Sequence, residues 1–174
     1  GLPVIGPYDE RIATATRRVG NGDAIDVGPW RFEVIEIPGH TTSHIAFHGE
    51  GLLFCGDTLF SLGCGRLFEG TPAQMLASLR ALAALPGDTR LCCGHEYTVA
   101  NAAFALTVDA DNAALRARAA QAQALRAAGK PTLPTSLASE RACNPFLRSS
   151  EPAIRASIEA QIGRDLHDDS DAFA

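Results

Sequence analysis

The chain has 174 residues, 46% hydrophobic and 20% charged, enough to bury a substantial core as one domain or two small ones. No apolar run approaches the roughly 20 residues of a membrane span, and a net charge of -5 without a Lys/Arg cluster excludes a polyphosphate partner such as DNA, leaving a small molecule as the expected partner. Five cysteines, odd in number and without Cys-x-x-Cys spacing, signal neither a disulfide framework nor a thiolate zinc site, so a reducing, cytoplasmic setting is expected; the chain is also expected to be a monomer.

The chain opens on Gly1 rather than methionine, and its natural start is expected to lie upstream. Arg31 to Ile37 is rich in β-branched and aromatic residues and stops at Pro38-Gly39, which predicts a strand ending in a turn. His44 to His48 and Leu52 to Cys55, separated by Gly49-Glu50-Gly51, predict a hairpin. Thr71-Pro72-Ala73-Gln74 carries the cap, the first-turn proline and the capping-box glutamine of a helix start. Met75, Leu76, Leu79 and Leu82 then share one face until Pro86-Gly87, giving a helix of about 14 residues. Thr89 to Cys93 predicts one more strand. Strand, helix, strand in this order implies a layered α/β (α+β) fold.

After His95 no strand-like run returns and alanine-rich helical periodicity takes over, so a boundary is placed there: residues 1–96 as the α/β part and 97–174 as a helical part. Tyr97 to Val108 and Asn112 to Ala128 read as helices, and a third from Pro152 aligns Ile154, Ile158 and Ile162. The acidic end around Asp165, Asp168, Asp169 and Asp171 is expected to fray.

Three segments end predicted strands with a metal-competent side chain beside glycine: Gly39-His40-Thr41, Gly56-Asp57-Thr58 and Gly94-His95-Glu96. Singly, each is more simply a turn or capping residue. Together, strands would project all three groups to one sheet edge, where imidazole and carboxylate suit a divalent metal.

Pro38-Gly39-His40-Thr41, Cys55-Gly56-Asp57-Thr58-Leu59-Phe60 and Gly94-His95-Glu96-Tyr97-Thr98 resemble the later metal motifs of the metallo-β-lactamase superfamily. Gly63-Cys64-Gly65-Arg66-Leu67-Phe68-Glu69-Gly70-Thr71 and Cys143-Asn144-Pro145-Phe146-Leu147-Arg148 narrow the resemblance to the glyoxalase II (hydroxyacylglutathione hydrolase) family. It implies the second half of an αββα sandwich followed by a small helical domain over the active-site mouth. It also implies two Zn2+ per intact site, with Fe or Mn as alternatives. His40 would complete one ion's ligands, His95 the other's, and Asp57, the catalytic carboxylate, would bridge them. The implied reaction is hydrolysis of S-D-lactoylglutathione, a glutathione thioester, to D-lactate and glutathione by a metal-bound hydroxide, in methylglyoxal detoxification.

On the substrate side the resemblance assigns Arg66, Phe68, Tyr97 and Arg148, with Phe68 where the family often has tyrosine and Arg66 where it often has lysine. The family's other ligands come from an N-terminal His-x-His-x-Asp-His motif, and no His-x-His occurs among His40, His44, His48, His95 and His167. These 174 residues alone are therefore expected to be inactive or barely active. Two alternatives fit the same motifs: an iron-dependent persulfide dioxygenase of the same superfamily, and a non-catalytic remnant that still binds glutathione. His44 is read as a hydrogen-bonded histidine behind the site.

Overall fold

The computed structural model describes residues 1–173. In chain order the elements are β1 (Ile5–Gly6), β2 (Arg17–Arg18), β3 (Ala24–Val27), β4 (Trp30–Glu36), β5 (Ile45–Gly49), β6 (Leu52–Gly56), β7 (Leu59–Phe60) and β8 (Gly63–Cys64). They continue as α1 (Pro72–Ala83), β9 (Arg90–Cys93), α2 (Thr98–Val108), α3 (Ala113–Ala127), β10 (Thr135–Ser136) and α4 (Leu137–Cys143). A 3-10 turn at Pro145–Leu147, α5 (Pro152–Ile162) and α6 (Asp169–Phe173) complete the chain. Among the described residues no helix is long and apolar enough to cross a membrane.

The main sheet has the order β10-β9-β6-β5-β4-β3, parallel only between β6 and β9. Alternation along β4 decides its faces. Ile35 and Ile37 point toward α1 in a core with Ala46, Leu53, Met75, Leu79 and Leu82, while Phe32 and Val34 point to the opposite face with Val19 and Ile25. That second face also carries Trp30 and Phe54, which stay half-exposed.

Local chemistry explains the connections. The β5–β6 hairpin turns on Glu50 and Gly51, both at positive φ (55° and 71°), the paired left-handed residues that a two-residue turn between right-twisted strands requires. At the start of α1 the Thr71 hydroxyl accepts from the Gln74 amide and the Gln74 side chain accepts from the Thr71 amide, the reciprocal cap expected from the sequence.

The mixed α/β architecture agrees with the sequence, which does not mark β1, β2, β3 or the β7–β8 hairpin; four further details differ. β10 follows His95 and pairs antiparallel with β9, two residues being too few for alternation to register. α4 precedes the Asn144 segment and was not anticipated. Along α5 only Ile154 is buried, and Ile162 remains half-exposed because no further layer covers that flank. The acidic end folds as α6: Asp169 pairs with Arg80 of α1 and lies 3.4 Å from Arg155, and Phe173 enters the core cluster of α1 and Leu137.

Candidate metal and substrate site

β4 and β5 are antiparallel, as are β5 and β6, while β6 and β9 are parallel, so β4, β6 and β9 all run the same way. The residues that follow them, His40, Asp57 and His95, therefore emerge at one edge. Two glycines permit the approach. Gly56 adopts φ 50° with the His44 ring where a Cβ would stand, and a Cβ on Gly94 would collide with Asp57 Oδ1.

Asp57 Oδ2 lies 3.5 Å from His40 Nε2 and 3.3 Å from His95 Nε2. His40 Nδ1 is 2.8 Å from the Arg66 carbonyl, which can only accept, so Nδ1 carries the proton and the Nε2 lone pair faces the carboxylate. His44 stands behind: its Nε2 accepts from the Asp57 amide at 3.4 Å, and the Thr41 hydroxyl is 3.4 Å from its Nδ1. Burial, and then the neighbouring His40, push the His44 imidazolium pKa down, so this ring remains a neutral support. His48 is half-buried in β5 and His167 exposed, both outside the cluster.

The His40 lone pair and a carboxylate facing each other at 3.5 Å are two acceptors, a contact that a shared cation relieves. The separation matches the edge of a tetrahedron whose bonds are about 2.0–2.1 Å. Each histidine shares only Asp57, however, and among the described residues no group of three or more His, Cys, Asp or Glu side chains is disposed around one point. The three side chains are thus donors of a kind that suits a divalent ion, but fewer than the four or so that zinc takes.

The cluster opens into a cavity of about 650 Å³ lined by six of the seven side chains singled out in the sequence: His40, Asp57, His95, Arg66, Phe68 and Tyr97. Tyr97 stacks on His95 with centroids 4.9 Å apart, and Phe68 leans on His40 at 4.8 Å. Arg66 is exposed, and among the described residues its guanidinium has no ion-pair partner, which leaves it available to an anionic ligand. Arg148 stands apart. It follows the Pro145–Leu147 turn, which Phe146 anchors by stacking on Phe104 at 5.7 Å, and its Nε lies 3.4 Å from the Asp109 carboxylate.

Phe60, Cys64 and Asn101 also line the cavity and escaped the sequence reading. Phe60 and Cys64 fall inside stretches that carried the family resemblance, yet neither has a chemistry that marks it; burial pushes the Cys64 thiol up to about 12, so it lines the wall as a neutral group. Asn101 lies on the helical face of α2, where no spacing distinguishes it.

The profile described as the metallo-beta-lactamase superfamily matches residues 6–95, and that described as the hydroxyacylglutathione hydrolase C-terminus matches residues 96–174. A protein of Xylella fastidiosa named hydroxyacylglutathione hydrolase is 58% identical over 173 residues, covering 99% of this chain and 67% of its own length. One of the same name from Xanthomonas campestris is 58% identical, with 99% and 68% covered. Among solved structures, ETHE1 from Myxococcus xanthus superposes with a TM-score of 0.61 at 27% identity, over 91% of this chain and 57% of that one. The BLEG-1 B3 metallo-beta-lactamase (TM-score 0.59, 22% identity, 84% and 65% covered) shares the fold alone. The superfamily implies metal ions, and ETHE1 stands as a more distant relative than the hydrolases. By the identity and coverage of these relatives, the chain belongs to the hydroxyacylglutathione hydrolase family of thioester hydrolases.

Proposed function

We propose that these residues form the metal-bridging and substrate-facing part of an enzyme that hydrolyses S-D-lactoylglutathione to D-lactate and glutathione. The observation that carries this reading is one cavity in which Asp57 meets both histidine nitrogens and which Arg66, Phe68 and Tyr97 also line. In this reading residues 1–96 contribute the donors and residues 97–174 close the cavity from Tyr97 onward. His40, Asp57 and His95 would hold the metal, and zinc is the ion proposed. When bound, such ions supply a water acidic enough to ionise near neutral pH and positive charge for the oxyanion of the thioester.

The chain's own groups do the rest. His40 is held in the tautomer that offers Nε2 by the Arg66 carbonyl. The Arg66 guanidinium pairs with a glutathione carboxylate, and Phe68 and Tyr97 wall the ligand from water. A thiol of ordinary acidity departs as thiolate, so no side chain has to protonate the leaving group. Arg148, whose Nε lies 3.4 Å from the Asp109 carboxylate, is proposed as a further contact of the glutathione moiety outside this cavity. A monomer in a reducing, cytoplasmic setting is proposed with this, in keeping with five free cysteines.

The test is binding of S-methylglutathione, a thioether that cannot be hydrolysed, together with zinc uptake and thioester turnover by this chain. Expected are measurable thioether binding, about tenfold weaker in Arg66→Ala, and negligible turnover because three donors are fewer than the four or so that a single zinc takes. Absence of thioether binding overturns the substrate assignment, and robust turnover with two tightly held ions overturns the half-site. Oxygen uptake with glutathione persulfide would favour the dioxygenase rival instead.

A further inference from the structure

The β7–β8 hairpin carries Phe60 and Cys64 on the cavity wall, begins two residues after Asp57, and sends its turn, Ser61 and Leu62, into the helical segment. Both turn residues are buried, and Leu62 adopts φ 62°, a conformation that non-glycine residues rarely hold without support. That support comes from side chains distant in sequence. Glu140 of α4, itself fully buried, accepts from the Ser61 hydroxyl (Oε1, 2.8 Å) and from the Leu62 amide (Oε2, 2.8 Å). Asn144, also fully buried, donates from Nδ2 to the Phe60 and Gly63 carbonyls, each at 3.0 Å, and to Glu140 Oε2 at 3.2 Å. Asn101 donates to the Ser61 carbonyl at 3.0 Å, and Arg118 to the Ser61 hydroxyl oxygen at 3.2 Å.

Every partner of the Glu140 carboxylate is a donor. A carboxylate offers acceptors on both oxygens, whereas an amide of the same shape turns an NH2 toward at least one of those donors. Neither Glu140 nor Asn144 lines the cavity.

We propose that Glu140, seconded by Asn144, is a positioning residue for the cavity: it fixes the Ser61–Leu62 turn from within the helical segment and thereby sets Phe60, Cys64 and the Asp57-Thr58 step that leads into the hairpin. The inference rests on the proposed function only for the identity of the ligand.

The experiment compares Glu140→Ala, Glu140→Gln and, as a control for lost stability, Leu79→Ala in the α1 core. Amide hydrogen exchange and NMR shifts are followed alongside S-methylglutathione binding. Glu140→Ala is expected to speed exchange of the Leu62 amide about a hundredfold relative to α1 amides, to shift the Phe60 and Cys64 amides, and to weaken thioether binding about tenfold. Glu140→Gln, which keeps the volume and one acceptor oxygen, is expected to restore part of each. Leu79→Ala is expected to lower the melting temperature while leaving the Phe60 and Cys64 signals and thioether binding in place.

Unchanged Phe60 and Cys64 signals with unchanged binding in folded Glu140→Gln would overturn the inference, and so would equal loss of binding in Leu79→Ala. If Glu140→Ala fails to fold, Glu140→Gln carries the comparison. If the unaltered chain binds no thioether, the substrate reading falls, while the Phe60 and Cys64 signals still decide the positioning role.

Discussion

Asp57 is held where two imidazole nitrogens face one of its oxygens, and its amide is engaged by a neutral His44. Replacing it by asparagine keeps the volume and removes the charge that both ions would share. Cobalt titrated into Asp57→Asn should therefore bind at least about tenfold more weakly than to the unaltered chain. Phe68 is 70% exposed beside His40, so Phe68→Tyr adds a hydroxyl at the cavity rim without disturbing the core. Stability in urea should stay within about 0.5 kcal/mol, and S-methylglutathione should bind about three- to tenfold more tightly.

Cys143 gives a pH prediction. Burial, reinforced by the nearby Glu140, pushes its thiol up to about 12 from 9.0. The folded state thus keeps a proton that the unfolded state releases above pH 9, so the associated stability is complete below pH 9 and is lost as pH rises toward 12. The fall in melting temperature between pH 8 and pH 10.5 should be shallower in Cys143→Ala. The convergence of His40, Asp57 and His95 was legible at this scale because glycine-flanked, metal-competent residues ending strands form a recognisable pattern. Glu140 was not, since a glutamate inside a short amphipathic stretch looks like a solvated one until its three donors are seen.

α1 was readable end to end because its stop, start and apolar stripe all lie within its own sequence. Its cap and core can be tested separately. Thr71→Ala removes the hydroxyl half of the reciprocal cap and should cost about 1 kcal/mol in urea unfolding. Leu79→Ala, fully buried in the sheet–α1 core, should cost about 2–5 kcal/mol depending on how far the sheet relaxes. By contrast β10 and the β7–β8 hairpin hold two residues per strand, too few for a period, and exist because neighbouring segments supply partners. Thr135 and Ser136 are a strand only because β9 presents its edge. The isoleucine stripe on α5 is helical yet buries only Ile154, because periodicity reports an element's own face and not whether anything covers it.

At the scale of the whole molecule the two segments share one core: Leu137 and Phe173 from the second pack with Ile37, Leu53 and the α1 leucines of the first. A single unfolding transition is therefore expected, with calorimetric and van't Hoff enthalpies in agreement; two resolved transitions would mean that the segments fold independently. The sequence by itself determined the α/β order of elements and the family, and offered His40, Asp57 and His95 as candidate donors, since these depend on local periodicity and on short motifs. Tertiary structure alone decided the rest. It gave each histidine a share in one Asp57 oxygen, gathered six candidate residues in one cavity while Arg148 went to Asp109, and placed a buried carboxylate under the hairpin, because side chains far apart in the chain acquire geometry and burial only when the sheet and helices pack.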